Sequence, residues 1–144
     1  MLTDRANSSA PIRTINDLGV LLIEDDDFTR RLMNRLLHDL KVRRLWEASD
    51  GMAALDILRN RADEVDVAIC DLEMPRMNGL DLLHALRTAT GNPLADLPVI
   101  VLTTHREADM VKRAIAYGIS GYLVKPVSKA DLLKRLTYAI QKGR

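Results

Sequence analysis

Five short apolar runs alternate with five amphipathic stretches along the chain. Gly19-Val20-Leu21-Leu22-Ile23 is apolar throughout, as a strand buried on both faces must be. Residues 27–40 then place Leu32, Leu36, Leu37 and Leu40 on one helical face. A short strand over 42–46, a helix over 51–60 with Leu55 and Leu58 inward, and a strand over 65–70 ending at Asp71 come next. The pattern continues with a helix over 80–88, a strand over 98–102, and a helix over 107–117 stopped by Gly118. A strand over 120–124 and a helix over 131–141 complete it.

Such alternation predicts a parallel sheet with helices on both faces. Right-handed crossovers leave few topologies for five strands, and the expected one is a flavodoxin-like (βα)5 three-layer α/β sandwich with strand order 2-1-3-4-5. Residues 18–144 are expected to form this single domain. Residues 1–17 read as an N-terminal extension, either a flexible leader or a packed segment, with Asn7-Ser8-Ser9-Ala10-Pro11 as its least structured part. The long connection over 88–97, with Gly91-Asn92-Pro93, reads as a variable surface loop.

Composition narrows the function classes. The chain has 144 residues, 47% apolar and 28% charged, which suits one globular domain with a real core. Aromatics are only 3%, so that core must be aliphatic. The single cysteine, Cys70, excludes an internal disulfide and a cysteine-built zinc site, and reads as an inert core residue. No apolar stretch approaches the roughly 20 residues of a membrane span, and the N-terminus lacks the apolar segment of a signal peptide. A cytoplasmic location without membrane contact is therefore expected. Net charge is +1, but nine Lys/Arg against three Asp/Glu from His105 onward put +6 on the last third and −5 on the remainder. The basic third reads first as solvated helix faces, with an acidic partner surface or nucleic acid as the alternative.

The candidate chemistry lies at the strand ends. Strand 1 ends in Glu24-Asp25, strand 3 in Asp71, strand 4 in Thr103-Thr104 and strand 5 in Lys125-Pro126. The expected strand order makes strands 1, 3, 4 and 5 contiguous, so three carboxylates, a hydroxyl and an ammonium converge on one sheet edge. Singly, each has an ordinary explanation; Asp26 and Asp27 in particular read as a helix cap and a first-turn acid. Together they suit a phosphoryl group. Clustered carboxylates repel unless a cation neutralises them, and oxygen-only ligands favour Mg²⁺. A lysine opposite adds a second positive charge, and a carboxylate oxygen can attack phosphorus in line.

These residues resemble the receiver domain of two-component response regulators (CheY-like). The resemblance runs from about Gly19 to the C-terminus. It rests on Leu-Leu-Ile-Glu-Asp-Asp at 21–26, Ala48-Ser49-Asp50-Gly51 with Ala54-Leu55, Asp-Leu-Glu-Met-Pro-Arg-Met-Asn-Gly at 71–79, Pro-Val-Ile-Val-Leu-Thr-Thr at 98–104, and Gly-Ile-Ser-Gly-Tyr-Leu-Val-Lys-Pro at 118–126. The resemblance implies that Asp71 is the phosphoacceptor. Asp25 would bind Mg²⁺ directly and Glu24 through water, with Glu73 giving its backbone carbonyl. Lys125 would bind the phosphoryl group, across a cis Lys125–Pro126 bond. Thr103 and Tyr122 would form the switch pair. Glu73 and His105 occupy the positions that tune phosphoryl lifetime, and the negative Glu73 is expected to discourage attack by water. Two departures stand out: Val127 replaces the usual Phe after Lys-Pro, and Ser120-Gly121-Tyr122 lacks the acidic pair of the winged-helix subfamily.

The expected function is a phosphorelay switch fed by a sensor histidine kinase or a phosphotransfer protein. It is not an enzyme beyond its own phosphorylation and dephosphorylation. Its output protein would dock on the face of helix 4, strand 5 and helix 5, near Lys112, Arg113, Lys129 and Arg135. Nucleic acid is not an expected partner, and a monomer or weak homodimer is. A phosphate-shuttling intermediate of a multistep relay and a receiver excised from a longer regulator stay open. A haloacid-dehalogenase-like phosphatase would want Asp-x-Asp after strand 1 and a cap insertion. A dinucleotide-binding domain would want Gly-x-Gly-x-x-Gly there. A degenerate receiver that binds partners without phosphorylation would lack some of the site residues, and all are present.

Overall fold

The computed structural model describes residues 14–74, 77–88, 93–104 and 108–142. Five parallel strands, β1 (Gly19–Ile23), β2 (Arg44–Ala48), β3 (Val67–Asp71), β4 (Val99–Thr103) and β5 (Gly121–Val124), form one sheet in the order β2-β1-β3-β4-β5. Between and after them run α1 (Asp27–Asp39), α2 (Gly51–Arg61), α3 (Gly79–Arg87), α4 (Ala108–Ala116) and α5 (Lys129–Lys142). This is the flavodoxin-like sandwich that the alternation predicts.

The strand runs are apolar at successive positions because both faces are covered. Leu21, Ile23, Ala68, Cys70, Val99 and Val101 face a cluster that also contains Ala54 and Leu58 of α2, Leu82 and Leu86 of α3 and Ala114 of α4. Val20, Leu22, Val67, Ile69, Ile100 and Leu102 face a second cluster with Met33 and Leu37 of α1 and Leu132, Leu136 and Ala139 of α5. The period-two alternation of a strand thus sends neighbouring residues into two separate cores.

Helix termini follow local chemistry. Asp26 caps α1, accepting from Thr29 N at 2.8 Å and Thr29 Oγ1 at 2.7 Å, and Asp27 is a first-turn acid. Asp50 accepts from Ala53 N at 2.8 Å, and Asn78 from Asp81 N at 2.9 Å, in the same role for α2 and α3. Gly118 adopts φ 79° just beyond α4, and its N–H donates to Ile115 O at 2.9 Å. That is the left-handed stop expected of glycine there.

Several element bounds and faces differ from the pattern. Strand 2 is shifted from 42–46 to Arg44–Ala48. Lys41 takes a left-handed φ of 63° and Arg43 N donates to Leu18 O at 2.8 Å, so the chain is still turning out of α1 until pairing starts with Gly19↔Arg44. Strand 3 begins at Val67, because Asp66 is taken up by Gly19 through a backbone bond and a carboxylate bond, each 2.8 Å. The buried face of α1 centres on Met33 and Leu37, while Leu36 and Leu40 pack at its edge and Leu32 is half-buried. A leucine-only stripe leaves out Met33, which the structure buries fully beside Leu37. In α2 the fully buried pair is Ala54 and Leu58, with Leu55 only partly covered. α5 begins two residues early because Ser128 Oγ accepts from Asp131 N at 3.1 Å. In the 88–97 connection, Leu94 and Leu97 are buried around a 3₁₀ turn at Pro93–Asp96; residues 89–92 lie outside the described residues. Residues 1–13 also lie outside them, while Ile15, in a 3₁₀ turn at Ile15–Asp17, packs against the second core. Val127 fills the place after Lys125-Pro126, buried among the second cluster, which shows how an aliphatic residue serves there.

Candidate functional site

The C-terminal ends of β1, β3, β4 and β5 bring Glu24, Asp25, Asp71, Thr103 and Lys125 to one edge of the sheet. The lysine is the hub. Its Nζ lies 2.9 Å from Glu24 Oε1 and 3.1 Å from Asp71 Oδ2. It reaches them from a cis Lys125–Pro126 turn whose Lys125 N–H donates to Thr103 O at 2.8 Å. Carboxylate oxygens of Glu24, Asp25 and Asp71 all lie within 4.8 Å of one another.

Burial makes this cluster electrostatically costly. Glu24 is 0% exposed and Asp71 4% exposed, whereas Asp25 is exposed and forms the open side. Burial pushes the Glu24 carboxyl up to about 7; the Lys125 ammonium and the Asp26 N–H, donating to Glu24 Oε2 at 3.1 Å, hold it from rising further. For Lys125, burial favours the neutral form, but Glu24 and Asp71 outweigh it and the pKa is raised. Two buried carboxylates therefore share one ammonium, and Asp25 adds a third negative charge.

The site chemistry fits a hard divalent cation. Glu24 Oε1 is fully buried and receives no well-directed hydrogen bond, even with the lysine at ion-pair distance. An oxygen with an open lone pair, in an all-oxygen donor set with one exposed carboxylate, is compatible with Mg²⁺, which keeps several waters.

The Asp71 carboxylate is well fixed. Its Oδ1 accepts from Glu73 N at 3.2 Å, and Oδ2 faces the lysine. Gly79 lets the start of α3 approach the backbone behind it: a Cβ there would stand 2.6 Å from Asp71 O and 2.8 Å from Leu72 Cα. Only glycine fits so near another main chain. Thr103 ends β4, 2% exposed, with Oγ1 donating to Thr104 O at 3.0 Å. Tyr122 on β5 is 44% exposed, so its ring stands outward. Glu73 is exposed at the mouth. His105, Pro75 and Arg76 lie outside the described residues. Cys70, directly beneath, is buried with its thiol pKa pushed far up by burial, in keeping with an inert residue.

Sequence reasoning overlooked Arg30. Its Nη1 donates to Glu24 O at 3.0 Å. The only signal was a basic residue one turn into the helix that follows the acidic run.

The family model of the response regulator receiver domain matches residues 20–137. The chain belongs to that family. It is 33% identical over 120 residues to the chemotaxis protein CheY-3 of Vibrio cholerae, covering 83% of this chain and 89% of that protein. It is 36% identical over 117 residues to the chemotaxis protein CheY of Pseudomonas aeruginosa, covering 81% and 90%. Its fold superimposes on the Vibrio cholerae chemotaxis protein CheY4 with a TM-score of 0.75 at 30% identity, covering 85% of this chain and 98% of that one. A receiver domain protein of Clostridium thermocellum gives 0.78 at 29%, covering 87% and 95%. The protein is thus a CheY-like receiver of two-component signalling. Among the described residues no helix is long and apolar enough to cross a membrane.

The raised Glu24 pKa sets a pH dependence. The folded state holds the Glu24 proton up to about 7, the unfolded chain only to about 4.5. Stability contributed by that proton is full below 4.5 and lost as pH rises to 7, at no more than about 1.4 kcal/mol per pH unit. Urea titrations without divalent cation are expected to show this loss in the wild type, and Glu24→Gln is expected to flatten it. An unchanged slope in Glu24→Gln would contradict the assignment.

Proposed function

We propose that the protein is a phosphoryl-accepting switch in which Asp71 takes a phosphoryl group from a phosphohistidine of a sensor kinase or phosphotransfer protein. The observation that carries the reading is the single ammonium of Lys125, 3.1 Å from Asp71 Oδ2 and 2.9 Å from Glu24 Oε1, beside a third carboxylate. Glu24, Asp25, Asp71 and the Glu73 carbonyl would hold Mg²⁺, with Glu24 acting through water. When bound, the ion would neutralise and orient phosphoryl oxygens.

The chemistry is one displacement. An Asp71 oxygen forms the new O–P bond while the P–N bond to the donor imidazole breaks; its electron pair leaves on nitrogen. Lys125, already drawn to Asp71, transfers its attraction to the incoming oxygens, so no charge has to be brought in at the moment of reaction. Thr103 would exchange its bond to Thr104 O for one to the phosphoryl group. Tyr122 would turn from solvent toward the space so vacated, altering the face of α4, β5 and α5 on which an output protein docks. Lys112, Arg113 and Lys129 are exposed on that face and Arg135 half-exposed. This reading takes residues 18–144 as the receiver domain and 1–17 as an extension. It expects a cytoplasmic monomer or weak dimer. A shuttling intermediate would use the same chemistry.

Incubation with acetyl phosphate and Mg²⁺ is expected to give one phosphoryl adduct by intact mass, lost without Mg²⁺ and in Asp71→Asn. An adduct that persists in Asp71→Asn, or none in the wild type, contradicts the reading. The exposed carboxylate of Glu73, whose backbone N–H donates to Asp71 Oδ1 at 3.2 Å, is proposed to repel attacking water. Glu73→Asn should shorten the adduct's half-life several-fold; an equal or longer half-life rejects that role.

A further inference from the structure

Arg30 joins three parts of the molecule at the back of the acidic site. On α1, it sends Nη1 to the carbonyl of Glu24 at 3.0 Å and Nη2 to Asp27 Oδ1 at 2.5 Å. Its Nε lies 3.5 Å from Glu47 Oε1 on β2. One turn further along α1, Asn34 Nδ2 donates to the other oxygen of the same glutamate at 2.8 Å. The Arg30 side chain is mostly covered, at 22% exposure. A planar, multi-donor group bonded on several sides is held in one orientation.

What it holds is specific. The Glu24 carbonyl belongs to the peptide unit that links Glu24 to Asp25. The N–H of Glu24 is already committed to Ala48 O at 3.0 Å. With the carbonyl fixed as well, the Glu24–Asp25 peptide plane is held. The Asp26 N–H, donating to Glu24 Oε2 at 3.1 Å, holds the peptide on the other side of Asp25, so the backbone position from which the exposed Asp25 carboxylate projects is set. Asp25 stands on the open side and has no described side-chain bond of its own to orient it.

We propose that Arg30 is a positioning residue for divalent-cation binding, acting through the Glu24–Asp25 peptide and anchored to β2 by Glu47. The proposal rests on the phosphoacceptor reading above. It makes a prediction of unusual sign. Arg30 carries positive charge close to a cation site, so charge alone says that removing it should tighten Mg²⁺. Positioning says that removing it should weaken Mg²⁺, as loss of ligand-orienting groups does at other metal sites.

The test is calorimetric titration of Mg²⁺ into the full chain as wild type, Arg30→Lys and Arg30→Gln, each checked for cooperative urea unfolding. Lysine keeps the charge but cannot bridge the same oxygens; glutamine removes the charge. Both are expected to raise the dissociation constant by at least about three-fold. A smaller change in Arg30→Lys, or tighter binding in Arg30→Gln, overturns the proposal. Should either variant fail to fold, Glu47→Ala, at an exposed position, removes the anchor instead; measured in high salt to screen the lost charge, it must also weaken Mg²⁺, and unchanged binding overturns the proposal. A wild type that binds no Mg²⁺ brings down the phosphoacceptor reading and this inference with it. Normal wild-type binding with unaltered variants sinks this inference alone.

Discussion

One ammonium shared by two buried carboxylates is the interaction on which this structure turns. Lys125 sits between Glu24, fully buried, and Asp71, 4% exposed. An isolated carboxylate in such a place would neutralise itself by taking up a proton. Glu24 goes part of the way, with its pKa pushed up to about 7. The lysine prevents complete neutralisation, yet one positive charge cannot balance three carboxylates. The site is left with a surplus of negative charge and an oxygen lacking a directed donor. That surplus is compatible with a divalent cation, and the proposed phosphoryl transfer would build on it.

The fold supplies the remaining constraints. Parallel strands put all their C-terminal ends on one edge, so β1, β3, β4 and β5 each deliver one part of the cluster. The cis Lys125–Pro126 turn starts directly after β5, with Lys125 N–H bonded to Thr103 O, so lysine and threonine are tied by their backbones. Behind Asp71, the tight approach of Gly79 seats the start of α3. Two aliphatic cores clamp the sheet between helix layers and make these strand ends rigid. Chemistry that depends on distances of about 3 Å needs such a platform.

Much of this was legible in the residues. Apolar runs bounded by Glu24-Asp25, Asp71, Thr103 and Lys125 disclosed both the sheet and the contents of its edge, because buried parallel strands tolerate polar residues only where they end. What stayed hidden had long-range causes. The start of β2 depended on a left-handed Lys41 and on Leu18 accepting from Arg43 and Arg44, which no periodicity encodes. Met33 displaced Leu32 from the buried stripe because the rotation of α1 is set by the sheet beneath it. Leu94 and Leu97 reached the core from a segment that looked like loop, since their spacing fits a 3₁₀ turn rather than a strand or α-helix. Arg30 was missed because a main-chain carbonyl leaves no trace in side-chain patterns.

Whether Lys125 and a divalent cation neutralise the same carboxylates is decided by urea unfolding of Lys125→Met beside the wild type at pH 8, with and without saturating Mg²⁺. Without the ion the variant is expected to be less stable by about 1–3 kcal/mol, because Glu24 and Asp71 lose their shared partner. With the ion it should recover most of that loss and gain more than the wild type does. A variant as stable as the wild type without Mg²⁺, or one that gains no more from the ion, would contradict the account.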